Sequence, residues 1–527
     1  MRRQHVMDRL TRATRYDVAV VGGGATGLGV ALDAASRGLS VALVESHDFG
    51  GGTSSRATKL VHGGVRYLAQ GRIGLVYEAL HERACLLRNA PHLARPLGFI
   101  MPSYRLWESP FHGAGLKLYD ALAGSDGLGP TQFLDRQETL AHMPNLRAEG
   151  LKGSVRYWDG QFDDARLALA LARTAAQHGA AVANYCAAVG LLHDGGRVVG
   201  LRCQDREGGR AFDLHAGCVI NATGVWVDAL REQDTGCGAI ASVAPLVSPS
   251  QGVHAVVDRE FLPGGDALIV PRTADGRVLF ALPWFGKVIL GTTDTPRADL
   301  PREPTALPGE LGFILREAGR YLARAPALDD VRSLWAGLRP LVRPTAGVTG
   351  SSGSISREHT VEVSRSGLVT VTGGKWTTYR SMAEDVLSIC VQSHLLTSVS
   401  AGVTADLRLA GGVGLGPITN ALAVPPGLHL YGSDAPEVQA LPGADRHLGG
   451  GLTEAMVRFA ARVEYARTVE DVLARRSRLL FLDARLAAVL APAVALILRE
   501  ETGIDPAQEP FERLAATYLP RGLQTDA

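Results

Sequence analysis

The chain has 527 residues, 46% of them hydrophobic and 20% charged, with a formal net charge of +1. This composition supplies a buried core for more than one domain and excludes an intrinsically disordered chain. The near-zero charge speaks against nucleic acid as a partner, and six cysteines without a C-x-x-C pair (Cys85, Cys186, Cys203, Cys218, Cys237, Cys390) speak against a zinc site or redox dithiol.

The first sixteen residues are Arg-rich and lack the apolar run of a signal peptide. A disordered tail is expected there, with a targeting peptide as the alternative. Residues 16–21 (YDVAVV) predict a strand buried on both faces. Three glycines break it at 22–24, a helix is expected over 25–37, and Gly38 ends that helix. Residues 41–44 form a second strand with Glu45 at its tip.

Further along, 165–178 predicts an amphipathic helix, and 182–188 and 198–203 predict strands joined by an Asp-Gly-Gly turn. Strands at 218–221 and 367–372 each run into a glycine-containing turn, and the second leads to a helix over 377–391. The Gly- and Pro-rich stretch 402–450 suits a connector, and helices are expected over 452–467, 469–479 and 484–499. The apolar run 486–498 is too short to span a bilayer and contains Pro492, so a buried helix is expected.

Gly22-x-Gly24-x-x-Gly27 between a strand and a helix is the dinucleotide fingerprint. The first glycine permits the tight turn, the second lets a pyrophosphate approach, and the third lets helix pack on strand. Amides at the helix N-terminus, Ala25 and Thr26 among them, then face the phosphates. Glu45 is placed to accept from ribose hydroxyls, and its charge would repel a 2′-phosphate. The Gly50-Gly51-Gly52-Thr53-Ser54-Ser55 loop and two distant returns, Ala222-Thr223-Gly224 and Gly373-Gly374-Lys375, offer bare backbone and hydroxyls for a longer cofactor. These returns point to FAD rather than NAD.

The chain resembles the aerobic, FAD-dependent glycerol-3-phosphate dehydrogenases within the D-amino-acid-oxidase-like flavoproteins. The residues that carry the resemblance are GGGATG at 22–27, TSS at 53–55, KLVHGGVRYL at 59–68, YWDGQFDDARL at 157–167, GTTD at 291–294, GLRPL at 337–341 and GGKWTTYR at 373–380. The stretch 464–476 is similar to that family's helical cap. The resemblance implies an α/β fold: a Rossmann-type FAD domain from 1–86, 150–225 and 350–396, an inserted mixed-sheet substrate domain from 87–149 and 226–349, and a helical C-terminal domain over 402–527. Because the C-terminal part has no cofactor motif, a chain ending near Thr397 is expected to keep FAD.

The implied reaction oxidises sn-glycerol 3-phosphate to dihydroxyacetone phosphate, reduces non-covalently bound FAD, and passes electrons to a membrane quinone. An oxygen-using, H₂O₂-producing α-glycerophosphate oxidase and a flavin-binding protein without turnover are the rivals. The resemblance adds Ser46, Lys59, Leu60, His62, Gly63, Thr377 and Thr378 to the cofactor residues. Arginine suits a phosphate because its planar fork bonds two oxygens at once. Arg339 is the first candidate, with an internal salt bridge as its other reading, followed by Arg357 and Arg66. His254 or His62 would take the C2 hydroxyl proton. Tyr67 would close the site, and Lys375 would support the reduced flavin or contact it through backbone alone. No metal is expected. The segment 111–122 (Phe111, Leu116, Leu118, Tyr119, Leu122, with Lys117) is either a membrane-dipping face or a buried helix. A cytoplasmic protein is expected, with peripheral contact at the inner face of the cell membrane and a homodimer both left open.

Overall fold

The N-terminus does not form the expected disordered tail: Arg3–Arg12 is a helix, α1, which buries Val6, Met7 and Leu10. Its apolar residues recur at helical spacing, and Arg3 ion-pairs with Asp205 at 2.6 Å. The computed structural model describes residues 3–234, 244–343, 358–416 and 422–521, and Cys237 and Arg357 lie outside them.

The elements follow in chain order as β1 (Tyr16–Val21), α2 (Ala25–Ser36), β2 (Val41–Val44), β3 (Leu60–Val61), α3 (Ile73–Asn89), β4 (Ala94–Ser103), α4 (Glu108–Ala123), β5 (Gln132–Asp135), α5 (Arg136–His142), β6 (Gly153–Phe162) and α6 (Asp164–Gln177). Next come β7 (Ala181–Ala183), β8 (Cys186–Asp194), β9 (Arg197–Asp205), β10 (Ala211–Asn221), α7 (Val227–Gln233), β11 (Val247–Asp258), β12 (Ala267–Val270), β13 (Leu279–Trp284), β14 (Lys287–Gly291) and β15 (Thr295–Pro296). The rest are α8 (Glu310–Gly319), β16 (Ser333–Val342), β17 (His359–Val363), β18 (Leu368–Gly373), α9 (Tyr379–Gln392), α10 (Ala435–Gln439), β19 (His447–Gly449), β20 (Leu452–Thr453), α11 (Glu454–Arg462), α12 (Leu479–Leu482), α13 (Ala484–Thr502) and α14 (Gln508–Thr517).

Two sheets organise the described residues. The first has the order β17-β18-β10-β1-β2-β7, with the β8–β9 hairpin attached to β10. Strands β18, β10, β1, β2 and β7 run parallel. Their near-continuous Val, Ile, Leu and Ala content suits strands covered on both faces, with α2, α6 and α9 on one side and α1 and the hairpin on the other. The second sheet has the order β15-β11-β14-β13-β12-β4-β6-β3, with β16 on β11 and β5 on β6. It is antiparallel except where β12 meets β4. Helix α8 covers one face, and the C-terminal helices cover the other through a core containing Trp284, Trp335 and Phe459.

The α/β class with a Rossmann-type sheet, a mixed sheet and a helical C-terminal region is as the sequence predicts. Sheet pairing crosses the expected division at two strands. Residues 153–162 and 60–61, read with the first domain, pair in the second sheet, β6 with β4 over its whole length. The C-terminal helices are also more broken than periodicity suggests. Helix α11 ends at Arg462 before Tyr465 at φ 60°, and 471–476 is a π-helical turn that aims Asp471, Arg475 and Arg476 inward. The 402–450 stretch is no free linker, since Leu409, Leu430 and Tyr431 are buried. Helix α13 carries Pro492 within it and is buried along one side, as expected of that run.

Candidate cofactor and substrate site

A cavity of about 560 Å³ opens where β1, β2, β10 and β18 end, lined there by Gly22, Glu45, Ala222 and Gly374. The carboxyl ends of parallel strands are where α/β sheets leave a crevice, because their connections diverge to opposite faces. The fingerprint glycines have the geometry the motif requires. Gly22 sits at φ 110°, and a Cβ there would come within 2.6 Å of the Ala222 carbonyl. A Cβ at Gly27 would run into the Gly22 carbonyl, so this glycine serves packing and does not line the cavity. Helix α2 starts at the cavity with Gly24 as its N-cap and no side-chain cap; its Ala25 amide donates to Ser54 Oγ at 2.9 Å. An N-terminus of this kind, with Thr26, Thr53 and Ser54 beside it, fits a pyrophosphate.

Glu45 is already engaged. Its Oε2 accepts from the Gly23 amide at 2.7 Å and its Oε1 from the His47 amide at 2.9 Å, which braces the glycine turn. Oε1 also accepts from the Ser46 hydroxyl at 3.2 Å, so Oε2 is the oxygen that keeps a second lone-pair site for a ribose hydroxyl. Ser46 lines the same end, and burial with nearby Arg302 pushes the His47 imidazole down to about 4.

The other end of the cavity is built on the paired strands β11 and β16. Register places Gly252 opposite Gly337 and His254 opposite Trp335. Strand alternation puts Ser250, Gly252 and His254 on one face, with Trp335, Gly337 and Arg339 beside them. The two glycines leave room for two arginines: a Cβ at Gly252 would collide with the Arg339 guanidinium, and one at Gly337 would lie 2.8 Å from Arg56 Cβ. Arg339 pairs with Asp294 at 2.9 Å and donates to the Thr293 carbonyl at 3.0 Å. Its internal salt bridge therefore exists, and no borrowed anion is needed to balance the charge.

His254 is buried and stacked on Trp335 at 4.1 Å, with Nε2 3.0 Å from Thr58 Oγ1. Its Nδ1 is also buried and has no hydrogen-bond partner among the described residues. Burial, then Lys59 and Arg339, hold its pKa well below the ordinary value, so the ring is neutral. His62 lines the cavity too, its amide donating to Thr377 Oγ1 at 3.2 Å. Lys375 lines it from the end of β18, with Nζ 4.2 Å from the Tyr67 ring centroid.

Of the residues singled out in the sequence, those at 22, 24–26, 45, 46, 53, 54, 60, 62, 222–224, 254, 339, 374, 375 and 377 line this one cavity. Besides Gly27, four cofactor candidates do not, and neither does Tyr67. Lys59 turns away to Asp164, and Ser55 offers its carbonyl to Lys59 and Arg478. Gly63 packs on Tyr119 and Leu80, and the Thr378 hydroxyl donates to the Lys375 carbonyl. Alternation and turn geometry point these residues into neighbouring elements. The side chain of Arg66 and all of Arg357 lie outside the described residues. The sequence reading missed Arg56, Thr58, Trp226 and Arg302, which also line the cavity. Arg56 and Thr58 sit within the hydroxyl-rich loop and could have been found there; Arg302 carried no local signal.

Comparison with known proteins agrees with this geometry. The family model described as "FAD dependent oxidoreductase" matches residues 17–380, and "C-terminal domain of alpha-glycerophosphate oxidase" matches 426–509. The chain is 42% identical to human "Glycerol-3-phosphate dehydrogenase, mitochondrial" over 94% of this chain and 72% of that protein. A probable mitochondrial glycerol-3-phosphate dehydrogenase of Caenorhabditis elegans is 40% identical over 96% of this chain and 73% of its own length. Among solved structures, the glycerol-3-phosphate dehydrogenase of Bacillus halodurans complexed with FAD superposes with a TM-score of 0.76 at 29% identity, covering 99% of both chains. A fingerprint turn at the parallel strand ends, a second sheet walling the same cavity and these similarities lead to one conclusion: the chain is an FAD-binding member of the FAD-dependent oxidoreductase family, in its glycerol-3-phosphate dehydrogenase branch.

Proposed function

We propose that this chain oxidises sn-glycerol 3-phosphate to dihydroxyacetone phosphate and hands the electrons to a membrane quinone. The observation that carries the reading is the placement of His254 and Arg339 on adjacent strands facing the cavity of the dinucleotide turn. FAD, when bound, supplies the two-electron acceptor. Residues at 22–26, 45, 53 and 54 would hold its nucleotide half, and Lys375 would favour negative charge at the other end. Arg339 would bind the substrate phosphate in competition with Asp294. His254 would receive the C2 hydroxyl proton, its Nε2 lying 3.0 Å from the hydroxyl of cavity-lining Thr58. Burial, then Lys59 and Arg339, lower the basicity of this histidine in the free protein. His62 would act as wall rather than base, and Tyr67 would close the site beside Lys375.

Anaerobic addition of glycerol 3-phosphate to the yellow protein should bleach the visible flavin band, and a band that stays unchanged would exclude this substrate. Oxygen uptake without added quinone would favour the H₂O₂-producing alternative. Among the described residues no helix is long and apolar enough to cross a membrane. We infer peripheral membrane contact from α4, which buries Leu116 and Tyr119 but leaves Phe111 67% and Leu118 49% exposed, next to Trp107 at 56%. A homodimer is proposed on the resemblance alone, and light scattering decides it.

A further inference from the structure

Segment 53–59 follows β2 and presents Thr53, Ser54, Arg56 and Thr58 to the cavity. What holds it comes from elsewhere in the chain. The Ser55 carbonyl accepts from Lys59 Nζ and from Arg478 Nη2, both at 2.8 Å. Asp164, at the start of α6, binds the same two cations, Lys59 at 2.7 Å and Arg478 at 3.0 Å, and accepts from the Ala57 amide at 3.1 Å. Lys59, Asp164 and Arg478 are each fully buried. Lys59 and Arg478 both have φ 66°, a left-handed backbone that non-glycine residues keep only where the surroundings enforce it. A second tie is independent of the first. Arg56 pairs with Glu303 at 2.7 Å, and Glu303 accepts from the Tyr518 hydroxyl at 2.6 Å.

We propose that the C-terminal region completes the cofactor site: Arg478, with Asp164 and Lys59, and Tyr518, through Glu303, are positioning residues that hold segment 53–59 in its FAD-retaining shape. A displacement of this segment reaches every part of the cavity. Ser54 Oγ accepts from the first turn of α2, Thr53 Oγ1 donates to the Leu338 carbonyl at 2.6 Å, and Thr58 meets His254. The buried cations have no water to fall back on, so removing one leaves Asp164 facing unbalanced charge. This positioning role predicts the opposite of the expectation that a chain ending near Thr397 keeps FAD, because such a chain lacks Arg478 and Tyr518.

The test uses the holoenzyme. Arg166–Glu464 is the matched control, a buried 2.7 Å pair that also joins α6 to the C-terminal region and does not contact 53–59. FAD release is followed by the rise in flavin fluorescence on dilution, and the melting temperature by circular dichroism. Arg478→Gln should release FAD roughly 10- to 100-fold faster than wild type, the scale of a lost charged hydrogen bond. Arg478→Lys should fall between, since one cationic donor remains. Arg166→Gln should lower the melting temperature and leave release unchanged. Equal changes in release for the Arg478 and Arg166 variants, or no change in either, would overturn the proposal. Should Arg478→Gln not fold, Tyr518→Phe decides, for it removes only a hydroxyl; release faster than wild type at an unchanged melting temperature supports the proposal, and unchanged release refutes it. The inference rests on FAD occupying this cavity. A wild-type protein without releasable flavin would sink that reading, whereas equal release rates would sink only the positioning role.

Discussion

At the scale of single residues, Arg339 and Asp294 define a competition. Their 2.9 Å ion pair keeps the guanidinium aligned on a partly exposed wall, and a phosphate must take over that alignment. Arg339→Lys keeps the charge and loses the planar fork. We expect a loss of roughly 1.5–3 kcal/mol in kcat/KM for glycerol 3-phosphate, with little effect on the poor substrate glycerol. Steady-state kinetics on both substrates checks this, and an equal loss on both would remove Arg339 from phosphate recognition.

At the scale of elements, the pairing of β11 with β16 sets Gly252 against Gly337 and so makes space for Arg339 and Arg56. Gly252→Ala presses on the Arg339 guanidinium and on Thr292 Oγ1 at 2.7 Å, both side-chain atoms. The protein should fold normally, release FAD at the wild-type rate and lose roughly 10- to 100-fold in kcat/KM, the effect of a small misplacement of a binding group. Gly337→Ala meets the Arg56 carbonyl at 2.9 Å as well as its Cβ, so the backbone must give and FAD release should quicken too. Comparing kinetics and release in the two variants separates the substrate end from the cofactor loop. Helix α4 offers another test. Wild-type protein should co-float with anionic phospholipid vesicles, and Phe111→Ser combined with Leu118→Ser should not. Flotation of the double variant at the wild-type level would exclude α4 as the contact.

At the scale of the whole molecule, stability depends on groups buried where layers meet. His92 lies between α3 and β4, is 2% exposed, and burial followed by Arg166 and Arg173 pushes its pKa down to about 3 from 6.5. In the folded chain the ring stays neutral; in the unfolded chain it takes a proton below pH 6.5. Its contribution is therefore complete above that pH and is lost as pH falls toward 3, by about 1.4 kcal/mol per unit within the window. His47 acts in the same direction. Urea unfolding at pH 7 and pH 5 should show a smaller drop for His92→Gln than for wild type, and identical drops would exclude His92 from the acid sensitivity.

Local spacing was enough to read the β-α-β start, the three fingerprint glycines, Glu45, and the helices and strands with a clear period of 3.6 or 2. Those features depend on φ/ψ and on side-chain direction over a few residues, which the chain carries in its own order. His254 and Arg339 were legible as residue types in need of partners, and the resemblance directed attention to them. Their neighbours were not legible. Ser55 meets Arg478 across 423 residues, Arg56 meets Glu303 across 247, and Arg339 turned out to have Asp294 as its anion. Sheet membership of 153–162 was equally hidden, because a strand's pairing partner is chosen by the packing of both faces rather than by its own pattern. The sequence by itself determined what kind of cofactor the chain binds and where that site begins. The tertiary structure decided which charges meet in the interior, since a buried ion finds its counter-ion only once the layers have closed over it.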